Sequence, residues 1–491
     1  MPSAPRGAHS PSLHQARFPA TEAPLGVLPW ALSTFIVVAL IFGGGAREGR
    51  WSDALVQLAS VIFIAVLFWC ASAPRAVLPS DRRLEYLLGA ALILPLLQLI
   101  PLPPFLWSLL PDRAVFASLY GQIGVTTPWL PISLDPTATG RAALSLLPPV
   151  AVFLATLQLS FKGRQVLSLV LIGMGLLSFL LGLAQLMQGG GSPLRFYDSG
   201  SDSNGFFANR NHHATLLVCL LPLAAAWILG FLAKQDRNRL LFLSVGLLVF
   251  AILLLGVGMT RSRAGLFLAA VAIVACLGMG GSRRSNVPFS RRAIAIAIGL
   301  GVVLLLHFAF TRLAARFETD LLADNRFEIA AITAQAAWAY FPLGSGFGSF
   351  EAVYRLFEPA SALTPFFANH AHNDWLELLL EGGLAAALLL VAATAWLGIT
   401  GYRAWTNATQ HLSGLDRALR QAASIALLVI ALHSLVDYPM RTAAISVLFA
   451  WSAAMLIDPK APEHRAGAGT AHGAVRHSTS HRHRRPSTSL R

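Results

Sequence analysis

The sequence has few charged residues for a chain of its length. Asp, Glu, Lys and Arg make up only 12% of the 491 residues, against 55% hydrophobic residues. A soluble domain needs about twice that share of charge. Repeated apolar runs of about 20 residues are long enough to cross the ~30 Å hydrocarbon core of a bilayer. The composition therefore predicts a polytopic membrane protein with no separate soluble domain.

Cysteine is also scarce. Cys70, Cys219 and Cys276 each lie inside an apolar run, at spacings that bear no relation to one another. This pattern supports neither a disulfide framework nor a cysteine-based zinc site.

Both ends of the chain differ in composition from its apolar middle, residues 25–458. Residues 1–24 are rich in Pro, Ala and Ser and too polar for a secretory signal peptide, so we expect a disordered cytoplasmic N-terminus. Residues 459–491 combine Arg and His with Ser, Thr and Gly. We expect a disordered basic tail that rests on anionic lipid, and metal binding by its histidines is the alternative.

Hydropathy predicts an all-α fold with about twelve transmembrane helices. The spans are expected near residues 25–45, 53–73, 84–109, 142–160, 166–187, 212–232, 240–260, 264–280, 293–310, 375–402, 421–436 and 441–457. If the N-terminus is cytoplasmic, loops on that side hold most of the basic residues and every lysine, which satisfies the positive-inside rule. Both termini are then cytoplasmic. The longest loop, residues 311–374 between the ninth and tenth spans, becomes a large, partly helical periplasmic loop.

Basic residues on the predicted outer side are all arginines, and several of them lie at helix ends. These are Arg210, Arg261, Arg263, Arg312, Arg316 and Arg326. The planar guanidinium group binds phosphate or carboxylate through two parallel hydrogen bonds. Snorkelling to the interface would explain any single one of them. Together they indicate an anionic ligand on the outer side.

A strongly polar segment, HAHND at residues 370–374, opens an almost unbroken apolar run. Asp374 and Glu377 have the spacing of a capping box, which leaves His372 just ahead of the helix N-terminus. The helix dipole there disfavours an imidazolium ion, and the neutral ring is the form that a general base needs. Two alternatives remain. His370-x-His372-x-Asp374 resembles part of the HxHxDH motif of binuclear metallohydrolases, and the cluster would also serve as a plain helix cap.

The carboxylates Asp374, Glu377 and Glu381 fall on one face of the tenth span. Carboxylates in a membrane helix are costly without partners, and the outer arginines are the expected partners. Other polar candidates at outer helix ends are His212, His213, His307, His433 and Asp437, and we expect His212 and His213 to point in different directions. The segment FPLGSGFGSF, residues 341–350, lacks the Lys-Ser/Thr of a phosphate loop, so it predicts a tight turn that fixes the external loop.

In their order and spacing these motifs resemble the O-antigen ligase and polymerase superfamily of bacterial envelope glycan assembly. The resemblance covers about residues 240–400, and it is carried by Ser262-Arg263-Ala264-Gly265, Trp338, PLGSGFGSF and HAHNDWLELLLEGGL. In ligases a His-Asn pair is followed after nine residues by Gly-x-x-Gly, Thr or Tyr. Here His372-Asn373 is followed by Gly383, but Ala386 stands at the last position. Ligase and polymerase both stay open.

The resemblance implies a metal-independent, inverting glycosyltransferase of the inner membrane that uses no cofactor and no nucleic acid. It would move a glycan from undecaprenyl diphosphate to a sugar hydroxyl of a glycan or lipid A-core acceptor at the periplasmic face. His372 would deprotonate the acceptor, supported by His370, Asn373, Asp374, Glu377 and Glu381. The departing diphosphate would be stabilised by Arg261, Arg263, Arg326 and Arg210. The alternatives are a flippase of lipid-linked sugars and a protein O-oligosaccharyltransferase.

Overall fold

The computed structural model describes residues 26–45, 51–71, 77–197, 201–233, 236–279, 326–362, 367–409 and 411–459. The predicted ninth span, with His307, Arg312 and Arg316 near it, lies outside the described residues, as do the N-terminal segment up to residue 25 and the tail from residue 460. The first part of the predicted long loop, up to residue 325, lies outside them as well.

The described residues are almost entirely helical. The helices are α1 (Val27–Phe42), α2 (Trp51–Trp69), α3 (Arg82–Leu97), α4 (Pro104–Trp107), α5 (Ala114–Gln122), α6 (Pro136–Ser145), α7 (Leu147–Leu157), α8 (Phe161–Gln188), α9 (Arg210–Ala233), α10 (Arg239–Met259), α11 (Arg263–Gly278), α12 (Arg326–Ala339), α13 (Phe350–Phe357), α14 (Asp374–Ala404), α15 (Gly414–His433) and α16 (Ala443–Met455). Two short strands, β1 (Pro101–Leu102) and β2 (Leu130–Pro131), form one antiparallel ladder.

Within the described part of the chain, six helical segments are long and apolar enough to cross a membrane. They are α2, the continuous α6 and α7, α8, α9, α10 and α14. The helices α1, α11 and α16 are apolar but shorter. The expectation of a helical protein with several membrane spans is confirmed, whereas the total of twelve spans stays a prediction.

Helix α9 lies at the centre of the bundle. It packs against α8, α10, α11 and α15, and 72% of its most apolar stretch of 18 residues is buried. A helix that is apolar on all sides is expected in such an interior position. Its first turn nevertheless begins with Arg210, Asn211 and His212. The fold therefore brings these polar residues to one end of the bundle, where α9, α11 and α14 begin and α15 ends; we call it the site end.

The third helix is shorter than the predicted span at residues 84–109. Helix α3 ends at Leu97, and the chain after it contains Pro101, Pro103 and Pro104. Proline has no backbone N–H to donate and fixes its own φ angle, so the helix cannot continue through this stretch. The chain instead pairs with residues 130–131 in the short ladder.

Helix α14 is interrupted at Gly383, where φ is 57° and ψ is −144°. The carbonyls of Leu380 and Glu381 accept hydrogen bonds from the N–H groups of Ser345 (2.9 Å) and Gly346 (2.9 Å). On the other side of the break, the Leu384 N–H donates to the carbonyl of Pro342 at 2.8 Å. The glycine-rich segment 341–350 thus replaces hydrogen bonds that a continuous helix would make with itself. The segment is a turn, as its sequence indicates, and the element that it fixes through these bonds is α14.

We expect Gly383→Ala to destabilise the protein by about 1–3 kcal/mol, because alanine strongly disfavours this backbone conformation. A Cβ atom at this position would also lie 2.1 Å from the Pro342 carbonyl oxygen and 2.7 Å from the Gly344 nitrogen. The measurement is the thermal unfolding midpoint of the purified protein in detergent. Gly398→Ala is the matched control, since it lies in the same helix with no atom within 4 Å of an added Cβ. Equal midpoints for the two variants would show that the backbone at residue 383 does not require glycine.

Candidate active site

His372 lies at the site end, in the connection that leads into α14. Its φ angle is 50°, a left-handed conformation that residues other than glycine seldom adopt. Its Nδ1 atom is 3.2 Å from Oδ1 of Asp437, which is fully buried, while 21% of the His372 side chain is exposed. One edge of the imidazole ring is therefore held by a buried carboxylate, and part of the ring stays accessible.

Asp437 collects donors from several segments. The side-chain amide of Asn211 donates to its Oδ2 at 2.5 Å, and the Tyr438 N–H donates to its Oδ1 at 3.0 Å. A guanidinium nitrogen of Arg326 lies 3.8 Å from Oδ2, and Nε2 of His212 lies 3.9 Å from Oδ1. Arg326 also donates to the carbonyl of Val436 at 2.9 Å. The first turns of α9 and α12 therefore meet at this one carboxylate.

These donors decide the protonation state of Asp437. Burial by itself raises the pKa of the carboxyl, but the hydrogen bond with His372 and the neighbouring His212 and Arg326 outweigh burial and hold the pKa below its usual range. The carboxylate is ionised at neutral pH. It therefore supplies a fixed negative charge beside His372.

Tyr438 separates the histidines of the site. The centroid of its ring lies 4.4 Å from that of His370, 4.9 Å from that of His372 and 5.0 Å from that of His212. Burial and the nearby Asp437 raise the pKa of the Tyr438 hydroxyl to about 12, so it remains a neutral phenol. The Tyr438 ring contacts all three imidazole rings and so restricts their orientation.

Whereas the expected partners were the outer arginines around His372, the three carboxylates of α14 share one arginine, Arg441, which the sequence had not singled out. Its guanidinium nitrogens lie 3.6 Å from Asp374, 3.4 Å from Glu377 and 2.9 Å from Glu381. Arg441 follows the turn after α15, just before α16. An isolated arginine between two apolar helices makes Arg441 a candidate in the sequence, but the sequence does not show which carboxylates it meets.

Glu377 also supports His370. Its Oε1 lies 2.8 Å from Nδ1 of His370, and its Oε2 accepts a hydrogen bond from the Ala371 N–H at 2.7 Å. Both side chains are buried, with 8% of His370 and 1% of Glu377 exposed. The connection before α14 is thus fixed by a carboxylate one turn into that helix.

The predicted capping box at Asp374 and Glu377 is wrong. The N-cap of α14 is Asn373, whose side-chain oxygen accepts from the Leu376 N–H at 3.0 Å. Asp374 is already helical, and its carboxylate accepts instead from the Ser434 hydroxyl at 2.8 Å and the Met440 N–H at 3.2 Å. A buried carboxylate needs donors from the surrounding bundle, and these take precedence over a local cap.

Of the four arginines predicted to bind diphosphate, three face a carboxylate at the site end, either Asp202 or Asp437. Arg210 and Arg261 both face Asp202, at 2.6 Å and 3.7 Å. Arg263 is exposed at the start of α11, directly after the N-cap Ser262. Arg326 is the arginine that the structure brings to Asp437 and hence beside His372. Arg210 directly precedes Asn211, which contacts Asp437. The arginines at Asp202 and the arginine at Asp437 are therefore neighbours.

Four further histidines were candidates. His212 faces Asp437, whereas Nδ1 of His213 lies 3.0 Å from the Ser203 carbonyl, so the two point in different directions as expected. The ring of His433 is buried, with Nδ1 2.6 Å from the Thr215 hydroxyl. His307 lies outside the described residues.

Metal ligation was the alternative for the HAHND segment. His370 and His372 face two different carboxylates, Glu377 and Asp437, instead of a common centre. Among the residues that the structure describes, no group of three or more His, Cys, Asp or Glu side chains is arranged to hold a metal ion. The described donors therefore do not fit the binuclear site that the motif suggests.

Fold and site together define a multi-helix membrane protein with a cluster of histidine, carboxylate and arginine at its helix ends. Residues 247–391 match the family model described as O-Antigen ligase. The match supports the resemblance of this segment to the O-antigen ligase and polymerase superfamily, and with it a membrane enzyme of the glycosyl-transfer type. A search of curated proteins finds no match. The matched segment contains His372, whereas Asp437 and Arg441 follow it in the chain.

Proposed function

We propose that this chain is an inverting glycosyltransferase of the ligase or polymerase type, which moves a glycan from undecaprenyl diphosphate to a sugar hydroxyl. The observation that carries the proposal is the pairing of His372 with the buried Asp437 at 3.2 Å, with a guanidinium nitrogen of Arg326 on the same carboxylate. A base, a group that orients it and cations for a leaving anion therefore lie together. They lie at helix ends, where a lipid-borne substrate presents its reactive carbon.

In the proposed mechanism, Asp437 accepts a hydrogen bond from the Nδ1–H of His372, which selects the tautomer whose Nε2 carries no proton. Nε2 takes the proton of the acceptor hydroxyl, and the charge of Asp437 stabilises the imidazolium that forms. The hydroxyl oxygen forms a bond to the anomeric carbon from the face opposite the diphosphate. The bond from that carbon to the diphosphate oxygen breaks, and its electron pair leaves with the lipid diphosphate. The anomeric configuration inverts.

The leaving diphosphate requires cationic partners. Arg326, Arg210, Arg261 and Arg263 are proposed to stabilise its charge as preorganised donors in a partly dry site. Arg441 is committed to the three carboxylates of α14 and has a supporting role. Cleavage of the lipid diphosphate supplies the driving force, so neither a nucleotide nor a metal ion enters the proposed reaction.

The proposed location is the inner membrane of a bacterium, with both termini in the cytoplasm and the site end on the periplasmic face. The basic residues support this orientation, since most of them lie in the tails and loops assigned to the cytoplasm.

Orientation is tested with an impermeant thiol reagent on spheroplasts, in a Cys70→Ser background because Cys219 and Cys276 are buried. Ser361→Cys, on the proposed periplasmic side, is expected to react in intact spheroplasts. His411→Cys precedes α15 at the opposite end of the bundle and is expected to react only after lysis. The reverse pattern would put the site in the cytoplasm.

The function is tested by giving the purified, reconstituted protein a fluorescent undecaprenyl-diphosphate oligosaccharide. The candidate acceptors are lipid A-core, a second lipid-linked glycan and a protein, each with and without chelator. We expect an inverted product on one of the two glycan acceptors, unchanged by chelator. Transfer to protein would select the protein oligosaccharyltransferase. Movement of the lipid across the vesicle without transfer would select a flippase, a class in which broken helices such as α14 also occur.

We expect Arg326→Lys to lower the rate of transfer about tenfold or more. Lysine keeps the charge but loses the planar fork that holds diphosphate through two hydrogen bonds. The measurement is the dependence of initial rate on donor concentration. Arg403→Lys is the control, because Arg403 is exposed in the last turn of α14, at the end of that helix remote from His372. Full activity of Arg326→Lys would leave Arg326 only a structural role at the Val436 carbonyl.

A further inference from the structure

A cavity of about 330 Å³ lies between α6, α13 and the segment that leads into α14. Its volume is at the small end of the range for ligand pockets, ~300–1,000 Å³. Polar groups dominate its wall, among them Asp135, Arg141, Glu351, Arg355, Asn369 and His370. The mechanism proposed above uses none of these side chains.

The cavity adjoins the proposed base. His370 lines it and precedes His372 by two residues, so their Cα atoms are at most ~7 Å apart. Both imidazole rings pack against the ring of Tyr438. Asn369 also lines the cavity, and its amide donates to the Tyr438 hydroxyl at 3.4 Å. A ligand that reaches His370 therefore lies beside the short segment that carries His372.

The charges of the wall argue against a phosphate ligand. Glu377 and Glu381 line the cavity, and both face Arg441. Arg355 is paired with Glu351 at 2.5 Å. Asp135 accepts a hydrogen bond from the Ala138 N–H at 2.9 Å and is a further carboxylate of the wall. Carboxylates thus outnumber arginines in this wall, so an anionic ligand is repelled. A diphosphate is better accommodated by Arg326 at Asp437 and by the arginines at Asp202.

The wall suits an uncharged, hydroxyl-rich ligand. Carboxylates accept hydrogen bonds from hydroxyl groups, and the guanidinium and amide groups of Arg141, Arg355 and Asn369 donate to hydroxyl oxygens. Ala138, Ala352 and the largely buried Phe350 add a smaller apolar part to the same wall. This mixture of charged acceptors, donors and a smaller apolar part matches the two kinds of surface that a sugar ring presents.

We propose that this cavity is the acceptor subsite, and that it binds an uncharged sugar residue whose reactive hydroxyl projects past His370 toward His372. His370 contributes a hydrogen bond to that sugar, and Glu377 holds the imidazole in place at 2.8 Å. The inference rests on the proposed glycosyl transfer. It separates the two substrates: the lipid diphosphate lies among the arginines at Asp437 and Asp202, and the acceptor enters between α6 and α13.

Ala352→Trp tests the subsite, because Ala352 lines the cavity and is exposed on α13, so a large side chain fills the space without disturbing the core. We expect the acceptor KM to rise at least tenfold, with the donor KM unchanged. Glu351→Gln is expected to raise the acceptor KM severalfold without a change in volume. Leu356→Trp is the control: Leu356 lies on the same helix, is 59% exposed and does not line the cavity. A rise in donor KM, or no change for either test variant, would overturn the assignment.

Direct binding separates this inference from the proposed function. Saturation-transfer NMR is recorded with methyl glycosides of neutral hexoses and N-acetylhexosamines on protein without donor. Binding to the wild type and to Leu356→Trp, but not to Ala352→Trp, supports the subsite even if no lipid-linked donor is ever turned over. Transfer that proceeds normally in Ala352→Trp would reject the subsite while leaving the proposed function intact. If wild-type protein neither binds these sugars nor transfers, both proposals fail.

Discussion

His372→Ala is expected to remove glycosyl transfer and to leave a folded, membrane-inserted protein. A positioned base typically contributes about 10² to 10⁴-fold in rate, so an end-point assay should show almost no product. The fold tolerates the change because His372 lies ahead of α14, outside the apolar core, and Asn373 caps the helix independently. The measurements are the rate of product formation from the lipid-linked donor and the thermal unfolding midpoint.

His411→Ala is the matched control for this experiment. Its side chain is 57% exposed at the opposite end of α15, where it faces Asp458 at 3.6 Å. We expect full activity and an unchanged midpoint. If His372→Ala retained wild-type turnover, the base would have to be another histidine, and His212 beside Asp437 would be the next one to replace.

Arg441→Met should produce the largest loss of stability. It leaves Asp374, Glu377 and Glu381 buried on one helix face without the cation that they share. Removal of one partner from a buried ion-pair network costs about 3–5 kcal/mol, because the remaining charges are neither solvated nor compensated. The unfolding midpoint in detergent measures the effect. Activity is expected to fall as well, since Glu377 fixes both His370 and the Ala371 N–H.

Two further variants make the Arg441 experiment specific. Arg355→Met breaks a pair whose side chains are 57% and 36% exposed, and such exposed pairs contribute less than about 1 kcal/mol. Adding Glu381→Gln to Arg441→Met removes one of the uncompensated charges, so part of the lost stability should return. A wild-type midpoint for Arg441→Met alone would show that the carboxylates do not depend on this arginine.

The sequence was sufficient for the features that depend on local pattern. Apolar run length predicts most of the helices, because spanning a bilayer or filling the bundle centre demands continuous apolar sequence. The polar spacing of HAHND places His372 just ahead of a helix, and the structure begins α14 at Asp374. The alternating glycines of residues 341–350 indicate a fixing turn, and that segment bonds to the break in α14.

Features that depend on distant parts of the chain were not predictable in this way. Asp437 meets His372 across 65 residues and Asn211 across 226, so no spacing rule reveals either contact. Arg441 pairs with three carboxylates of another helix. A single arginine near a proline in the sequence does not indicate how many carboxylates it will contact. The cap on Asn373 instead of Asp374 was decided by the Ser434 hydroxyl, which is supplied by the end of α15. Tertiary packing settled each of these choices.

The break at Gly383 has a consequence for the response of the protein to bilayer thickness. A continuous helix from Asp374 would shift its polar end whenever the membrane became thicker or thinner, because mismatch is relieved by tilting. Here the portion after Gly383 is about 20 residues, long enough to cross ~30 Å on its own. The portion before it is hydrogen-bonded to the glycine-rich segment instead. The long portion can therefore tilt in lipids of different chain length while the depth of His372 relative to its arginines stays constant.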